Sequence, residues 1–311
     1  MGDLELRARR AELRARPPRS RPAGRSRSAS KRQTTEVTPG CRAAVEVAAE
    51  LELVVDEPLL IQETNNTVIW LRPHPIIAKV GTHPDSGALL VREHEVASAL
   101  AALGAPAGAP LTGVAPLHHL ATGFIVTLWQ RLEHDVTSEP ADSMVAASLQ
   151  QLHAALALID IELPSFRVGL QRARTALFDD VRMNALAVDD RAFLRSAFDG
   201  LVAELDSRVL GEQSLHGEPH DGNLLVTRSG LRWIDFESTC RGPLEWDLAF
   251  LGGEPCDVFG GVDLELLELL ATLNSARVAT WCWIQARFPD MRWHAEHHLG
   301  IVRSRTSTWR E

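Results

Sequence analysis

The spacing of apolar residues changes partway along this chain. Before residue 132 the apolar runs are short and rich in β-branched side chains. Residues 51–55, 67–71 and 76–80 read as strands broken by Pro and Asn. Residues 86–103 read as a helix stopped by Gly104 and Pro106, and residues 123–129 as one further strand. Beyond that point the apolar positions recur at helical spacing. Residues 144–158, 191–209 and 264–286 predict helices, with one hairpin, residues 224–236, set among them. A strand-rich stretch followed by a longer helical one predicts an α+β fold with two lobes and a cleft. The domain reading is a tail at 1–40, an N-terminal lobe at 41–131 and a helical C-terminal lobe at 132–311.

Charge divides the chain in the same way. Of the 32 basic and 41 acidic side chains, residues 1–40 hold eleven and four, leaving 21 and 37 for the remainder. The tail is Arg-, Pro- and Ser-rich with little to bury, and is read as solvated and disordered rather than as an arm for an acidic surface. The acidic remainder argues against nucleic acid as a ligand and leans toward a cationic or neutral one. No apolar run is long enough to span a membrane, and none has the setting of a secretory leader. The four cysteines, Cys41, Cys240, Cys256 and Cys282, lack metal-ligand spacing, so a reducing, cytoplasmic setting is expected.

Chemistry concentrates in His216-Gly217-Glu218-Pro219-His220-Asp221-Gly222-Asn223 and in the Asp235-Phe236-Glu237 that follows the hairpin. Taking Arg228-Ser229-Gly230 as a three-residue turn pairs Thr227 with Leu231, and the same register sets Asn223 opposite Asp235. Two oxygen-bearing side chains would then meet at the open end of the hairpin, a donor set suited to Mg²⁺ sharing its remaining positions with phosphate and water. His216, Glu218 and Asn223 keep the spacing His-x-Asp-x-x-x-x-Asn of a kinase catalytic loop, with Glu218 at the position of the proton-accepting Asp.

Lys31 and Lys79 are the only lysines, so Lys79 is alone outside the tail. It ends the strand-like Ile76-Ile77-Ala78-Lys79-Val80, similar to the kinase Val-Ala-Ile-Lys element, where a lysine grips nucleotide phosphates. Of the acids on the following helix, Glu93 shares a face with Val96, Ala97 and Leu100, whereas Glu95 lies opposite; Glu93 is therefore the expected partner.

Together these segments resemble the signature of the aminoglycoside phosphotransferase and choline kinase-like enzymes: His-Gly-Asp, four residues, Asn, then Asp-Phe/Trp-Glu/Asp, then Asp-Leu-Ala, here Asp247-Leu248-Ala249. Leu152-His153 and Arg92-Glu93 are similar to two further elements of that family. The resemblance spans about residues 50–255 and implies a two-lobed protein-kinase-like fold. It also implies transfer of the γ-phosphoryl group of ATP, with Mg²⁺, to a hydroxyl of a small molecule, the family's acceptors including aminoglycosides, macrolides, choline, sugars and amino-alcohols. It assigns Glu218 and His216 to the catalytic loop, Lys79 and Glu93 to the nucleotide, Asn223 and Asp235 to metal, and Asp247 to bracing the loop. The strand end around Trp129 and Arg131 would meet adenine. The turn containing Asn65 and Asn66 would cover the phosphates, although it lacks the usual glycine. Glu218 in place of Asp is the other departure.

Two rival readings follow from the same residues. A catalytically silent nucleotide-binding regulator would explain Glu218. A metallohydrolase using His216, His220 and Asp235 leaves Lys79 and Glu93 without a role. His294, His297 and His298 are read as a solvated helix face, and Trp281, Trp283 and Trp293 as packing.

Overall fold

Helix α1 (Pro39–Glu50) begins where the sequence supplies both parts of a start signal. The Thr38 side chain accepts from the Cys41 N–H at 3.3 Å, and Pro39 occupies the first turn, where no N–H is needed. In this computed structural model, which describes residues 38–63, 66–83, 86–251 and 258–306, the expected tail therefore lies outside the described residues except for its last three, which cap and open α1. Two compact units follow. One holds the chain up to Ile161 together with Asp221–Glu237; the other holds Glu162–His220 and the chain from Ser238 onward. The hairpin that the sequence places among the helices thus belongs with the strand-rich unit.

The first unit continues through β1 (Glu57–Glu63), β2 (Thr67–Arg72), β3 (Ile76–Gly81), α2 (Ser86–Ala102), β4 (Leu117–His119), β5 (Phe124–Gln130) and α3 (Asp142–Leu156). The strands form one antiparallel sheet in the order β1-β2-β3-β5-β4. Alternate residues of β2 are buried, the period-2 pattern of a half-covered sheet. Ile69, Leu71, Ala78, Val80, Val126 and Leu128 meet the small-residue face of α1, Ala43, Ala44, Val47 and Ala48. Small residues allow close approach: a Cβ on Gly40 would stand 2.5 Å from Thr67 Oγ1.

Residues 51–55 are not a strand. Leu51, Leu53 and Val55 lean on the same core as the chain turns back from α1, which produces an alternating pattern with no partner strand. The strand that does pair is β1, exposed at six of its seven positions, and its apolar residues, Leu59, Leu60 and Ile61, are consecutive rather than alternating.

The second unit takes up the chain with α4 (Arg167–Leu177), α5 (Val188–Asp206) and β6 (Gln213–Leu215). The first unit then regains it for β7 (Leu224–Thr227) and β8 (Gly230–Trp233), and the second closes with β9 (Cys240–Gly242), α6 (Leu244–Leu251), α7 (Leu264–Ile284) and α8 (Pro289–Thr306). Its core gathers Leu170, Leu194, Phe198, Leu201, Leu270, Leu273 and Leu299 among others. Asp263 starts α7 by accepting from the N–H groups of Glu265 and Leu266. Among the described residues no helix is long and apolar enough to cross a membrane.

The short β6–β9 pair, Leu215 opposite Cys240, positions the loop that starts at His216. Gly217 turns that loop at φ +86, and a Cβ there would lie 1.9 Å from the Ser238 carbonyl oxygen. Gly217→Ala is expected to lower the urea-unfolding free energy by about 1–3 kcal/mol or more, combining left-handed strain with a backbone clash. Gly211→Ala, with open space around the site, serves as the control and should change it by a few tenths. Equal effects at the two positions would contradict this account of the loop.

Candidate active site

In the first unit, β3 presents Lys79 inward and α2 presents Glu93, 2% exposed, toward it. The Lys79 ammonium donates to both Glu93 oxygens, at 3.0 and 2.9 Å, and to Asp235 Oδ1 at 2.7 Å. It also pairs closely with Glu237. Glu93 does a second job: its Oε1 accepts the backbone N–H of Phe236 at 3.1 Å, tying α2 to the segment after β8. Arg92 donates to the Glu237 carbonyl at 2.9 Å, and the Asn66 amide donates to Glu237 Oε1 at 2.5 Å. Asn66 Oδ1 is buried with no hydrogen-bond partner; Asn65 lies outside the described residues.

One ammonium among three carboxylates leaves the cluster short of positive charge. Burial alone would lower the Lys79 pKa, but the charges of Glu93, Asp235 and Glu237, with the hydrogen bond to Asp235, raise it well above its ordinary value. Burial pushes the Glu93 carboxyl up to about 8 against the pull of Lys79, and the Asp235 and Glu237 charges add to that rise. One oxygen from each of Glu93, Asp235 and Glu237 lies within 4.8 Å of the other two, the one such His, Cys, Asp or Glu grouping among the described residues. Its hard-oxygen donors suit a divalent cation such as Mg²⁺. Of the residues in the metallohydrolase reading, His216 is buried and His220 exposed, both in the second unit, and Asp235 belongs to the first.

The hairpin register differs by one residue from the sequence expectation. Thr227 pairs with Gly230 across a two-residue turn, Arg228-Ser229, rather than with Leu231. Gly230 at φ +108 and the Thr227 hydroxyl, which donates to the Gly230 carbonyl at 2.6 Å, make the tighter turn workable. Asn223, buried at the end of a 3₁₀ turn, therefore faces Ile234, whose N–H donates to the Asn223 carbonyl at 2.9 Å. Asp235 comes one residue later, at φ +67.

Trp129 and Arg131 make contacts within the sheet. The Trp129 indole donates to Thr127 Oγ1 at 2.9 Å, and the Arg131 guanidinium lies 4.0 Å over the Trp70 ring. The backbone N–H groups of Gln130 and Arg131 already donate to Ala109 and Pro75.

In the second unit, Asp247 is fully buried and accepts two backbone N–H groups of the loop, His216 at 2.9 Å and Gly217 at 2.8 Å. The His216 ring Nδ1 accepts from the Glu218 N–H at 3.3 Å, and the Trp246 indole donates to the Gly217 carbonyl at 3.1 Å. Glu218, so mounted, receives Arg277 Nη2 on Oε1 at 2.9 Å and the Ser238 hydroxyl on Oε2 at 3.2 Å. Arg277 escaped the motif analysis; its signal is that it is the only charge in α7 after Glu268. Glu237, too, has a larger place than the motif suggested.

The three histidines of α8 are not a solvated face. His297 Nε2 and His298 Nδ1 are buried without partners, His297 stacks on Trp293 at 5.3 Å, and burial pushes the His298 pKa down to about 4. Trp283 is core, while Trp293 is 44% exposed.

A lysine–glutamate pair on strand and helix, a carboxylate after a hairpin, and a braced His-Gly-Glu loop define a phosphotransferase of kinase-like fold. The sequence profile of the phosphotransferase enzyme family (APH) matches residues 62–297, and the chain belongs to that family. No curated protein sequence matches it. Its fold is similar to that of the choline kinase LicA from Streptococcus pneumoniae, at 16% identity and TM-score 0.61, covering 85% of this chain and 98% of that one. It is also similar to APH(2")-IIia in its GDP and kanamycin complex, at 14% identity and TM-score 0.64 over 86% and 99% of the two chains. A third similar structure is the amicoumacin kinase hAmiN with AMP-PNP and Ca²⁺, at 11% identity and TM-score 0.61 over 84% and 93%.

Removing the internal ammonium should expose the acidic cluster. Lys79→Met is expected to bind Mn²⁺ without nucleotide at least about tenfold more tightly than the parent, because about 1.4 kcal/mol of relieved repulsion gives that factor. Equal affinities in a metal titration would show that the three carboxylates do not act as a cation site.

Proposed function

We propose that this protein transfers the γ-phosphoryl group of ATP, with Mg²⁺, to a hydroxyl of a small molecule. The observation that carries the reading is Lys79, held by both Glu93 oxygens and in contact with Asp235. Phosphoryl transfer needs little covalent help from a protein and much positioning and charge. Lys79 would grip the nucleotide phosphates, and Glu93 would keep it aimed. Asp235, Asn223 and Glu237 would hold the metal, which when bound neutralises charge on the phosphates. The Asn66 amide, whose oxygen has no partner, would lie with the phosphate-covering turn. The backbone beyond Arg131 would meet the purine. Glu218 would accept the proton of the acceptor hydroxyl; Asp247 and His216 hold its loop through backbone hydrogen bonds.

Charge and kin support a reading of the acceptor class. Outside residues 1–40 the chain has 21 basic against 37 acidic groups, which favours a cationic acceptor such as an amino-alcohol or an aminoglycoside-like compound. Two of the similar structures are named for choline and kanamycin, both cationic hydroxyl compounds. The GDP in one and AMP-PNP in another make the choice between ATP and GTP a matter for the assay.

The test is nucleotide consumption against a panel of hydroxylated amines, with the product read by phosphorus NMR as a new phosphomonoester. In folded protein, Lys79→Ala should lower turnover by about 10²–10³-fold, the range for removing one preorganised charge-stabilising group. Asp235→Asn should abolish Mg²⁺-dependent turnover, and Glu218→Gln should lower turnover by about 10²–10⁴-fold. Nucleotide binding with no turnover on any acceptor would instead favour a silent regulator. Turnover undiminished in Lys79→Ala would remove the basis of the phosphotransfer reading.

A further inference from the structure

The Glu218–Arg277 contact carries an inference about why a glutamate stands in the catalytic loop. Arg277 projects from the apolar part of α7 and is 8% exposed. A cation so buried is tolerated only when it is paired and hydrogen-bonded. Its guanidinium is fixed before it reaches Glu218. Nε donates to Asn274 Oδ1 at 3.0 Å, one turn back on the same helix, and the plane lies 5.7 Å from the Trp246 ring and 5.6 Å from the Phe250 ring. Both rings belong to α6, which also carries Asp247, the brace of the Glu218 loop. The fork therefore meets Glu218 as a rigid, preset donor rather than as a mobile arm.

Glu218 is held from two sides, by Arg277 on Oε1 and by Ser238 on Oε2. Its side chain keeps 30% exposure where that of Arg277 keeps 10%, so the pair is enclosed mainly on the arginine side. An aspartate at 218 would withdraw the carboxylate by about an ångström, a displacement that can alter a rate about 10²-fold, and would open the contact to Arg277.

We propose that Arg277 is the positioning residue for Glu218, and that the pair is what allows a glutamate to serve where the family signature has an aspartate. The proposal rests on the phosphotransfer reading, in which Glu218 takes the hydroxyl proton. In that reading Arg277 acts through Glu218, setting the direction of the carboxylate that takes the proton.

Two measurements test it. The first does not depend on activity: urea unfolding of Glu218→Gln, Arg277→Met and the double variant. The single losses should sum to clearly more than the double, because each single change leaves the other member without its partner. Simple additivity overturns the proposal. The second follows hydrolysis of Mg·ATP with water as the acceptor. Arg277→Met, which keeps the stem between the two rings, should lower kcat about tenfold or more with the KM for ATP within about twofold. Arg277→Lys should recover part of that loss, and in a Glu218→Asp background Arg277→Met should change little further. Parent-level or faster turnover in folded Arg277→Met overturns the proposal, the faster case marking Arg277 as a block on the base. If the parent itself turns over no ATP with any acceptor, the phosphotransfer reading fails, while the unfolding cycle still decides the pair.

Discussion

A single ammonium surrounded by carboxylates organises the first unit. Lys79 reaches Glu93 on α2 and Asp235 and Glu237 after β8, so one side chain joins the sheet, the helix and the hairpin segment. Glu93 joins them again through the Phe236 N–H. In water such contacts would be worth little; inside the unit their Coulomb energy is larger, and so is the penalty for leaving any member alone. The cluster holds more negative than positive charge. That imbalance weakens it as a structural ion pair and suits it to a ligand that brings a cation and anionic phosphate together.

The second unit meets a different constraint, the backbone. Gly217 takes a positive φ that other residues rarely adopt, and Asp247 satisfies two successive N–H groups of the loop it shapes. In the first unit Asp235 takes a left-handed conformation without being glycine. Backbone strain of this kind persists only where surrounding contacts impose it, and it gathers at working sites. Both positions lie in the segments that carry the candidate chemistry.

Much of this was legible in the sequence, for physical reasons that also mark where legibility ended. The helices α2, α3 and α5 announce themselves by periodic apolar faces, and α7 by a long apolar run that is buried on every side. The inward face of α2 singles out Glu93 over Glu95 without any coordinates. Strand β1 is exposed at all positions but Leu60, so burial left no alternating pattern in its residues. The hairpin register was misread because Gly230 suits either a two- or a three-residue turn; the Thr227 hydroxyl, bonding across the turn, decides it. Arg277 was missed because it lies 59 residues from Glu218 in the chain, and no local spacing reports a contact of that range. The buried His297 and His298 atoms were missed because a run of histidines looks solvated from composition alone.

The central claim is that the Lys79 cluster receives nucleotide phosphates together with a divalent cation. Calorimetric titration with AMP-PNP, a nucleotide that cannot be turned over, tests it most directly. Binding should require Mg²⁺, strengthening at least about tenfold when the metal is added, and this metal dependence should disappear in Asp235→Asn. Binding of equal strength with and without Mg²⁺, or metal dependence unchanged in that variant, would contradict the claim.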